Sequence, residues 1–155
     1  MKYVKTKKIL NQAVADLSAL SAMIHQIHWY MRGPNFIKLH PQMDNYMEQA
    51  DAQLDVISER LITLDGSPYS TLREWADNAK IKQEPGIFGV STEKRFKELI
   101  IALRYMSKLY QEGLAVTEEE GDSITNGIFC NFKGEFEKLI WMLRAELNLA
   151  PEIDI

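Results

Sequence analysis

Apolar residues recur at helical spacing over most of the chain, first between Thr6 and Met31. Residues three and four positions apart lie on one side of an α-helix, so this spacing predicts a long amphipathic helix with one buried side. The apolar positions on that side are Ile9, Leu10, Val14, Leu17, Leu20, Ile24, Ile27 and Met31. Gly33 and Pro34 predict its end, because glycine permits a turn and proline cannot continue the ladder of hydrogen bonds.

Three further segments show the same periodicity. They run from His40 or Pro41 through Leu64, from a cap at Ser91 or Thr92 to the acidic run 118–120, and from Asp122 or Ser123 through Leu147. A short helix over 71–79 is predicted in the connection between the second and third long helices. No segment shows the alternation of a β-strand. This pattern predicts an all-α protein, a four-helix bundle of ferritin-like connectivity, formed by a single domain over residues 1–155.

Composition and charge narrow the class of protein. Hydrophobic residues make up 46% of the chain and charged residues 26%, which argues against disorder, and the net charge of −4 gives no general reason to expect nucleic-acid binding. No apolar run reaches the roughly 20 residues of a membrane span, and the first residues lack a secretory signal. Cys130, the one cysteine, cannot form an internal disulfide. We therefore expect a cytoplasmic protein that does not bind membranes.

Two histidines beside the first turn are candidate metal ligands. His28 lies about one turn before the predicted end of the first helix, His40 lies at the start of the second, and Asp44 follows His40 by one helical turn. Two further carboxylates, Asp55 and Glu59, lie one turn apart farther along the second helix. Imidazole and carboxylate together suit iron or zinc at neutral pH.

The length of the second helix separates these two groups of ligands. Asp55 follows His40 by 15 residues, which corresponds to roughly 22 Å along a helix. No side chain spans that gap, so one chain cannot bring both groups to the same ion. An antiparallel copy of the second helix, packed about a two-fold axis, would bring its Asp55 and Glu59 to the histidine end of the first chain. A site that uses all of these residues therefore predicts a dimer with two equal centres.

Each candidate also has a simpler explanation. A histidine near a helix end is often a cap or a satisfied core residue, and Asp55 and Glu59 could form a solvated face with the neighbouring arginine. His25 and His28, three residues apart, could bind zinc alone, although two ligands make a weak site. Trp29 would by default be a buried or interface aromatic residue. The joint spacing favours the metal site over these separate explanations.

The first two predicted helices and the turn between them contain a distinctive set of candidate metal ligands and turn residues. Its members are the run HWYMRGPNFIKLH from His28 to His40, then Asp44, Asp55 and the pair Glu59–Arg60. This pattern closely resembles the Dps family of miniferritins, the DNA-binding proteins from starved cells, and the related peroxide-resistance proteins of Gram-positive bacteria. The resemblance continues through 66–72, 119–122, 125–126 and 140–142, so it extends over essentially the whole chain.

The resemblance implies an assembly, a chemistry and a set of ligands. The assembly is a hollow dodecamer with ferroxidase centres across its two-fold interfaces. The implied iron ligands are His28, His40 and Asp44 of one subunit with Asp55 and Glu59 of the other. Glu59 would be the firmest ligand, and Asp44 an outer ligand or hydrogen-bond partner. Trp29 matches a tryptophan beside the centre that would trap stray oxidising equivalents. The family oxidises Fe(II), preferably with hydrogen peroxide, and stores ferric mineral; zinc could compete for the same ligands.

An acidic cluster between the third and fourth helices resembles the family's three-fold pore region. Its members are Glu118, Glu119, Glu120 and Asp122. Carboxylates at a helix C-terminus interact unfavourably with the helix dipole. This placement points to a route for cations, and the alternative is an ordinary solvated helix end. Gly127 stands where relatives usually carry aspartate, so one ring of pore charge is expected to be missing unless Glu137 compensates. We therefore predict slower iron entry than in an acidic relative.

Lysines at the start of the chain suggest a second, weaker function. Lys2, Lys5, Lys7 and Lys8 lie in a basic segment, residues 1–8, which an oligomer would repeat, and such a display can bind DNA phosphates. The segment is short and the chain is acidic, so strong DNA binding is not expected. The rival functions are an architectural nucleoid protein with a vestigial metal site and a helical-bundle interaction protein without metal. A larger ferritin is disfavoured because no glutamate precedes a histidine by three residues.

Overall fold

Five α-helices make up the regular structure of the protein. The computed structural model describes residues 1–153, and the helices are α1 (Val4–Tyr30), α2 (Phe36–Thr63), α3 (Leu72–Asn78), α4 (Thr92–Glu120) and α5 (Ser123–Glu146). The described residues contain no β-strand. The predicted all-α bundle of four long helices, with a short extra helix between the second and third, is confirmed. None of the helices within residues 1–153 is long and apolar enough to cross a membrane.

The four long helices pack as two hairpins. Helix α1 contacts α2, α4 and the short α3, while α4 packs against α5. The predicted apolar sides of the helices form one buried core, in which Leu17, Met43 and Phe136 are almost fully buried. At Gly113 of α4, a Cβ atom would stand 2.6 Å from the ring of Phe129. The absence of a side chain at Gly113 therefore allows α5 to approach α4 closely.

A buried carboxylate on α1 fixes the connection between α2 and α4. Asp16 is fully buried, and its Oδ1 accepts hydrogen bonds from the backbone N–H groups of Lys80 (2.6 Å) and Ile81 (3.1 Å). Its Oδ2 accepts from the Tyr105 hydroxyl (2.6 Å) and the Gln12 amide (2.8 Å). These four bonds offset the cost of burying the charge. Burial, followed by the bond to Asp16, raises the pKa of Tyr105 well above 10.0.

Helix α2 begins at Phe36, four residues before the earliest predicted start at His40. A start at His40 or Pro41 would have placed Pro41 in the first turn, where proline is well tolerated. It lies inside the helix instead, where it cannot donate a hydrogen bond to the carbonyl oxygen of Ile37. Ile37 and Pro41 are both exposed, so water can bond to that carbonyl. The earlier start places His40 in the second turn of α2.

Candidate metal centre

The turn between α1 and α2 brings His28 and His40 into contact. Gly33, within this turn, has a φ of 130°, which side chains other than glycine rarely allow. His28 lies in the last turn of α1, and His40 faces it from α2. The two imidazole rings stack, with centroids 3.7 Å apart and planes inclined by 12°.

Each histidine donates a hydrogen bond to the backbone of the other. Nδ1 of His28 lies 2.7 Å from the carbonyl oxygen of His40, and Nδ1 of His40 lies 2.9 Å from the carbonyl oxygen of His28. Because a carbonyl oxygen only accepts, the neutral form of each ring carries its proton on Nδ1 and its free lone pair on Nε2. That lone pair is the one available to a metal ion. The reciprocal bonds therefore set both the tautomer and the orientation of the two rings.

Asp44 places a carboxylate beside the free nitrogen of His28. Its Oδ1 lies 3.6 Å from Nε2 of His28, which is too long for a direct hydrogen bond. The Asp44 side chain is 57% exposed and that of His28 is 12% exposed, so the carboxylate stands on the open side of the histidine pair. Nitrogen and oxygen donors are thus neighbours at this end of the α1–α2 hairpin.

Asp55 and Glu59 lie farther along α2 and do not join this group. They follow Asp44 by 11 and 15 residues, which is roughly 16 and 22 Å along the helix. Both side chains are exposed. Among residues 1–153, no three His, Cys, Asp or Glu side chains are arranged to hold a metal ion. A single chain therefore assembles only part of the predicted ligand set.

Trp29 and His25 form a separate pair on α1. Trp29 is 64% exposed, and its ring centroid lies 5.4 Å from that of His25. His25 donates from Nδ1 to the carbonyl oxygen of Ser21, at 2.8 Å. Since His28 stacks on His40, the two histidines that could have shared a zinc ion have different partners.

Two carboxylates of the acidic cluster hold the start of α1. Glu120 accepts hydrogen bonds from the backbone N–H groups of Lys5 (3.0 Å) and Thr6 (2.9 Å), and Glu119 accepts one from the Lys5 ammonium (2.6 Å). The N-cap residue Tyr3 makes no side-chain cap, so Glu120 supplies the acceptor that this helix end needs. Burial alone would raise the pKa of Glu120, but the backbone bonds outweigh it and lower the pKa below 4.5.

Asp122 is buried and pairs with Arg60 of α2. Its carboxylate caps α5 by accepting from the backbone N–H of Thr125 (3.1 Å) and from the Thr125 hydroxyl, and Nη2 of Arg60 donates to it at 2.8 Å. Burial would raise the pKa of Asp122, whereas the bonds from Thr125 and Arg60 lower it below 3.8. Arg60 therefore does not form a solvated face with the exposed carboxylates of α2.

Most of the acidic cluster between α4 and α5 is engaged within the chain, and the pore stays a prediction. Three of its four members serve in helix caps and ion pairs, and only Glu118 remains without such a contact among the described residues. Gly127 is exposed, and nothing lies within 4 Å of the position its Cβ would take. Glu137, its candidate replacement, pairs with Lys133 one turn earlier. Slower iron entry stays a prediction.

Neither the capping role of Glu120 nor the pairing of Arg60 with Asp122 was predicted from the sequence. One feature of the sequence indicated that Glu120 needs a partner. Acidic side chains in the last turn of α4 oppose its dipole, so they need a compensating partner. That partner is the start of α1, 115 residues away along the chain, and no local pattern indicates it.

Three comparisons with known proteins agree on the fold. Residues 7–153 match the model of a family described as a ferritin-like domain. The DNA protection during starvation protein of Streptococcus suis (strain P1/7) is 50% identical over 148 residues, which cover 96% of this chain and 86% of the relative. The X-ray structure of Dps from Listeria monocytogenes has a TM-score of 0.92 at 40% identity and covers 94% of this chain and 95% of that one. A zinc-soaked Dps from Listeria innocua has a TM-score of 0.91 at 40% identity, covering 94% and 98%.

Proposed function

The chain belongs to the Dps family of ferritin-like proteins, and from this premise we propose that it oxidises Fe(II) and stores the ferric product inside a dodecameric shell. Family membership associates the chain with iron binding and protection. The observation that carries the finer proposal is the reciprocal bonding of His28 and His40. It leaves two oriented imidazole lone pairs free beside the Asp44 carboxylate.

A second copy of the chain would complete the centre. Asp55 and Glu59 are exposed on α2, too far from the histidine pair of their own chain. Exposed apolar residues on the same two helices include Trp29, Val56 and Ile62. Burial of such surface favours association. An antiparallel pairing of the α1–α2 hairpins would cover this surface and bring the carboxylates of the partner to the histidines.

Two Fe(II) ions at one centre can reduce one hydrogen peroxide without releasing a hydroxyl radical. Each iron gives one electron, the O–O bond breaks, and two protons are taken up, so that two Fe(III) ions and two water molecules result. Anionic oxygen ligands stabilise the Fe(III) product, and we assign this role to Asp55 and Glu59. His28 and His40 would hold the iron through Nε2, and Asp44 would orient a site water or a histidine. Trp29, exposed nearby, would intercept stray oxidising equivalents.

Zinc and the cellular location are secondary parts of this proposal. Zinc binds imidazole and carboxylate ligands and would compete with iron at the same centre. Cys130, the one cysteine of the chain, is exposed and unpaired, which fits the reducing cytoplasm that we propose as the location.

Rapid mixing of iron-loaded protein with peroxide tests the proposal. Anaerobic protein receives Fe(II) and then a stoichiometric pulse of hydrogen peroxide, and Fe(III) absorbance is followed. The double variant His28→Ala, Glu59→Ala loses one ligand from each half of the centre, so its rate should fall by at least about tenfold. His25→Ala is the matched control, since it removes a histidine from the same helix but outside the stacked pair. Identical kinetics in the parent and the double variant would leave the ferroxidase assignment without support.

DNA binding is a second candidate function, favoured by the basic start of the chain. Relatives carry the name DNA protection during starvation protein. Lys5, however, is bound to Glu119, and that hydrogen bond raises the pKa of Lys5. Lys2 and Lys8 are exposed and Lys7 is half-buried. Only part of the predicted basic display is therefore available to phosphates.

A further inference from the structure

A cleft of about 750 Å³ lies between α1, the connection 80–90 and the first half of α4. Its volume falls within the range of small-molecule sites in proteins. The walls are largely apolar, with Ile81 and Ile87 contributed by the connection and Ile101 by α4. Ile87 and Ile101 are 58% and 68% exposed, so apolar surface is open to solvent there. None of the proposed iron ligands lines this cleft.

A buried arginine lies in the wall of the cleft without an acidic partner. Arg95 is 3% exposed, and no carboxylate of the described residues forms an ion pair with it. Its Nη1 donates to the Gln26 side chain (3.1 Å) and its Nη2 to the carbonyl oxygen of Ile87 (2.6 Å), while its Nε–H meets no acceptor. The guanidinium carbon lies 5.6 Å from the centre of the Tyr30 ring. Because these partners are neutral, no negative charge compensates the guanidinium. A buried charge without an opposite charge beside it is costly in free energy.

The other charges around the cleft add to this positive field. Lys80, Lys82 and Lys94 line it together with Arg95, against the two carboxylates Glu84 and Glu98. The chain as a whole carries a net charge of −4. A local excess of cations on an acidic protein concentrates anions at that place.

We propose that this cleft binds a small amphipathic anion, a carboxylate or phosphate group attached to an apolar body. The acidic group lies on the side of Arg95 and Lys94, where it compensates the buried guanidinium charge. The apolar body covers Ile81, Ile87 and Ile101. Because the cleft shares no residue with the iron ligands, this binding function is separate from the proposed oxidation of iron.

Calorimetric titration of the assembled protein with octyl compounds tests the ligand class. Octanoate and octyl phosphate share the apolar chain and differ in the acidic group, while octylammonium carries the opposite charge on the same chain. We expect octanoate or octyl phosphate to bind, with an affinity that falls as salt is raised, and octylammonium not to bind. The stronger of the two anions identifies the preferred acidic group. Equal binding of octylammonium, or no binding of either anion, would overturn the proposal.

Variants locate the binding in the cleft. Lys94→Glu reverses an exposed charge at its rim, and Ile101→Asp places a carboxylate on its exposed apolar wall, so each should weaken binding of the anion by about tenfold. Arg95→Gln should also weaken it, but Arg95 is buried, so the exposed positions keep the test independent of folding. Lys108→Glu makes the same charge change on α4 outside the cleft and should bind like the parent. If Lys94→Glu and Ile101→Asp also bind like the parent, the proposed site is wrong.

Discussion

Glu120 stabilises the first turn of α1 from the end of α4, and this contact makes stability depend on pH. Because its pKa is lowered below 4.5, the carboxylate contributes its full stabilisation above that value and loses it as the pH falls through the folded-state pKa. Glu120→Gln should therefore lower the free energy of unfolding by about 1 kcal/mol at pH 7, the usual loss for a helix cap. The difference from the parent should close below about pH 4.5.

Thermal unfolding of parent and variant at pH 7 and at acidic pH measures this effect. Glu118→Gln is the control, because Glu118 is an exposed carboxylate in the same helical turn with no contact to α1. A difference in melting temperature between Glu120→Gln and the parent that stays constant as the pH falls would contradict the capping role.

Contacts at the residue scale were predictable only where they are local. His28 and His40 flank one short turn, and Asp44 follows by one helical turn, so spacing alone indicated that they would be neighbours. The stacking of the rings and their reciprocal bonds needed the actual geometry of the turn. The cap by Glu120 joins the end of α4 to the start of α1, which are far apart in the chain. No sequence pattern in either segment indicates the other as its partner.

At the scale of elements, Asp16 is the link that holds the connection 80–90 to the bundle. Asp16→Asn keeps the size of the side chain but replaces one acceptor oxygen by an NH₂ group, which would face the N–H or O–H donors that surround it. Unsatisfied buried donors are costly, so the free energy of unfolding should fall by about 2 kcal/mol or more.

Hydrogen exchange gives the sharper measurement for Asp16. The amides of Lys80 and Ile81 donate to its Oδ1, so they should exchange faster in Asp16→Asn, while amides in the middle of α5 are little affected. Asp77→Asn, an exposed change on α3, provides the control. Unaltered exchange at Lys80 and Ile81 would show that Asp16 does not hold the connection.

The helices themselves were largely predictable, because each carries a long apolar repeat bounded by glycine, proline or a capping residue. Ser91 caps α4 and Asp122 caps α5, as their positions before the apolar repeats indicated. The start of α2 was predicted too late, at His40 or Pro41, whereas the helix begins at Phe36. An exposed helix end tolerates a missing hydrogen bond, which is a property of the surroundings and not of the local sequence.

At the scale of the whole molecule, an oligomer would multiply the few free lysines of each chain. If these bind DNA, the parent should shift DNA in gels at low salt, and the shift should disappear as salt rises. Lys2→Gln with Lys8→Gln should weaken it, and Lys108→Gln, a lysine on α4, should not. Deleting the segment 1–8 would be a poorer test, because it removes the turn that Glu120 caps. No shift by the parent at low salt would remove this function.

The proposed assembly is the feature least accessible from the sequence. Helical rise alone showed that one chain cannot join its histidines to Asp55 and Glu59, and the structure keeps the two groups apart. The proposed two-fold partner would bring the two groups together, and the proposed number of subunits comes only from the family resemblance. Shell size depends on interface angles, which no sequence pattern encodes.

The proposed shared centre is tested most directly by mixing two variants that are each expected to be inactive. His28→Ala and Glu59→Ala chains are unfolded together, reassembled in equal amounts, and assayed for peroxide-driven Fe(II) oxidation. In a mixed dimer, the intact His28 of one chain meets the intact Glu59 of the other at one of the two centres. Random pairing should therefore restore about a quarter of the parent's centres. If the mixture stays as inactive as each variant reassembled alone, the centre does not form between chains.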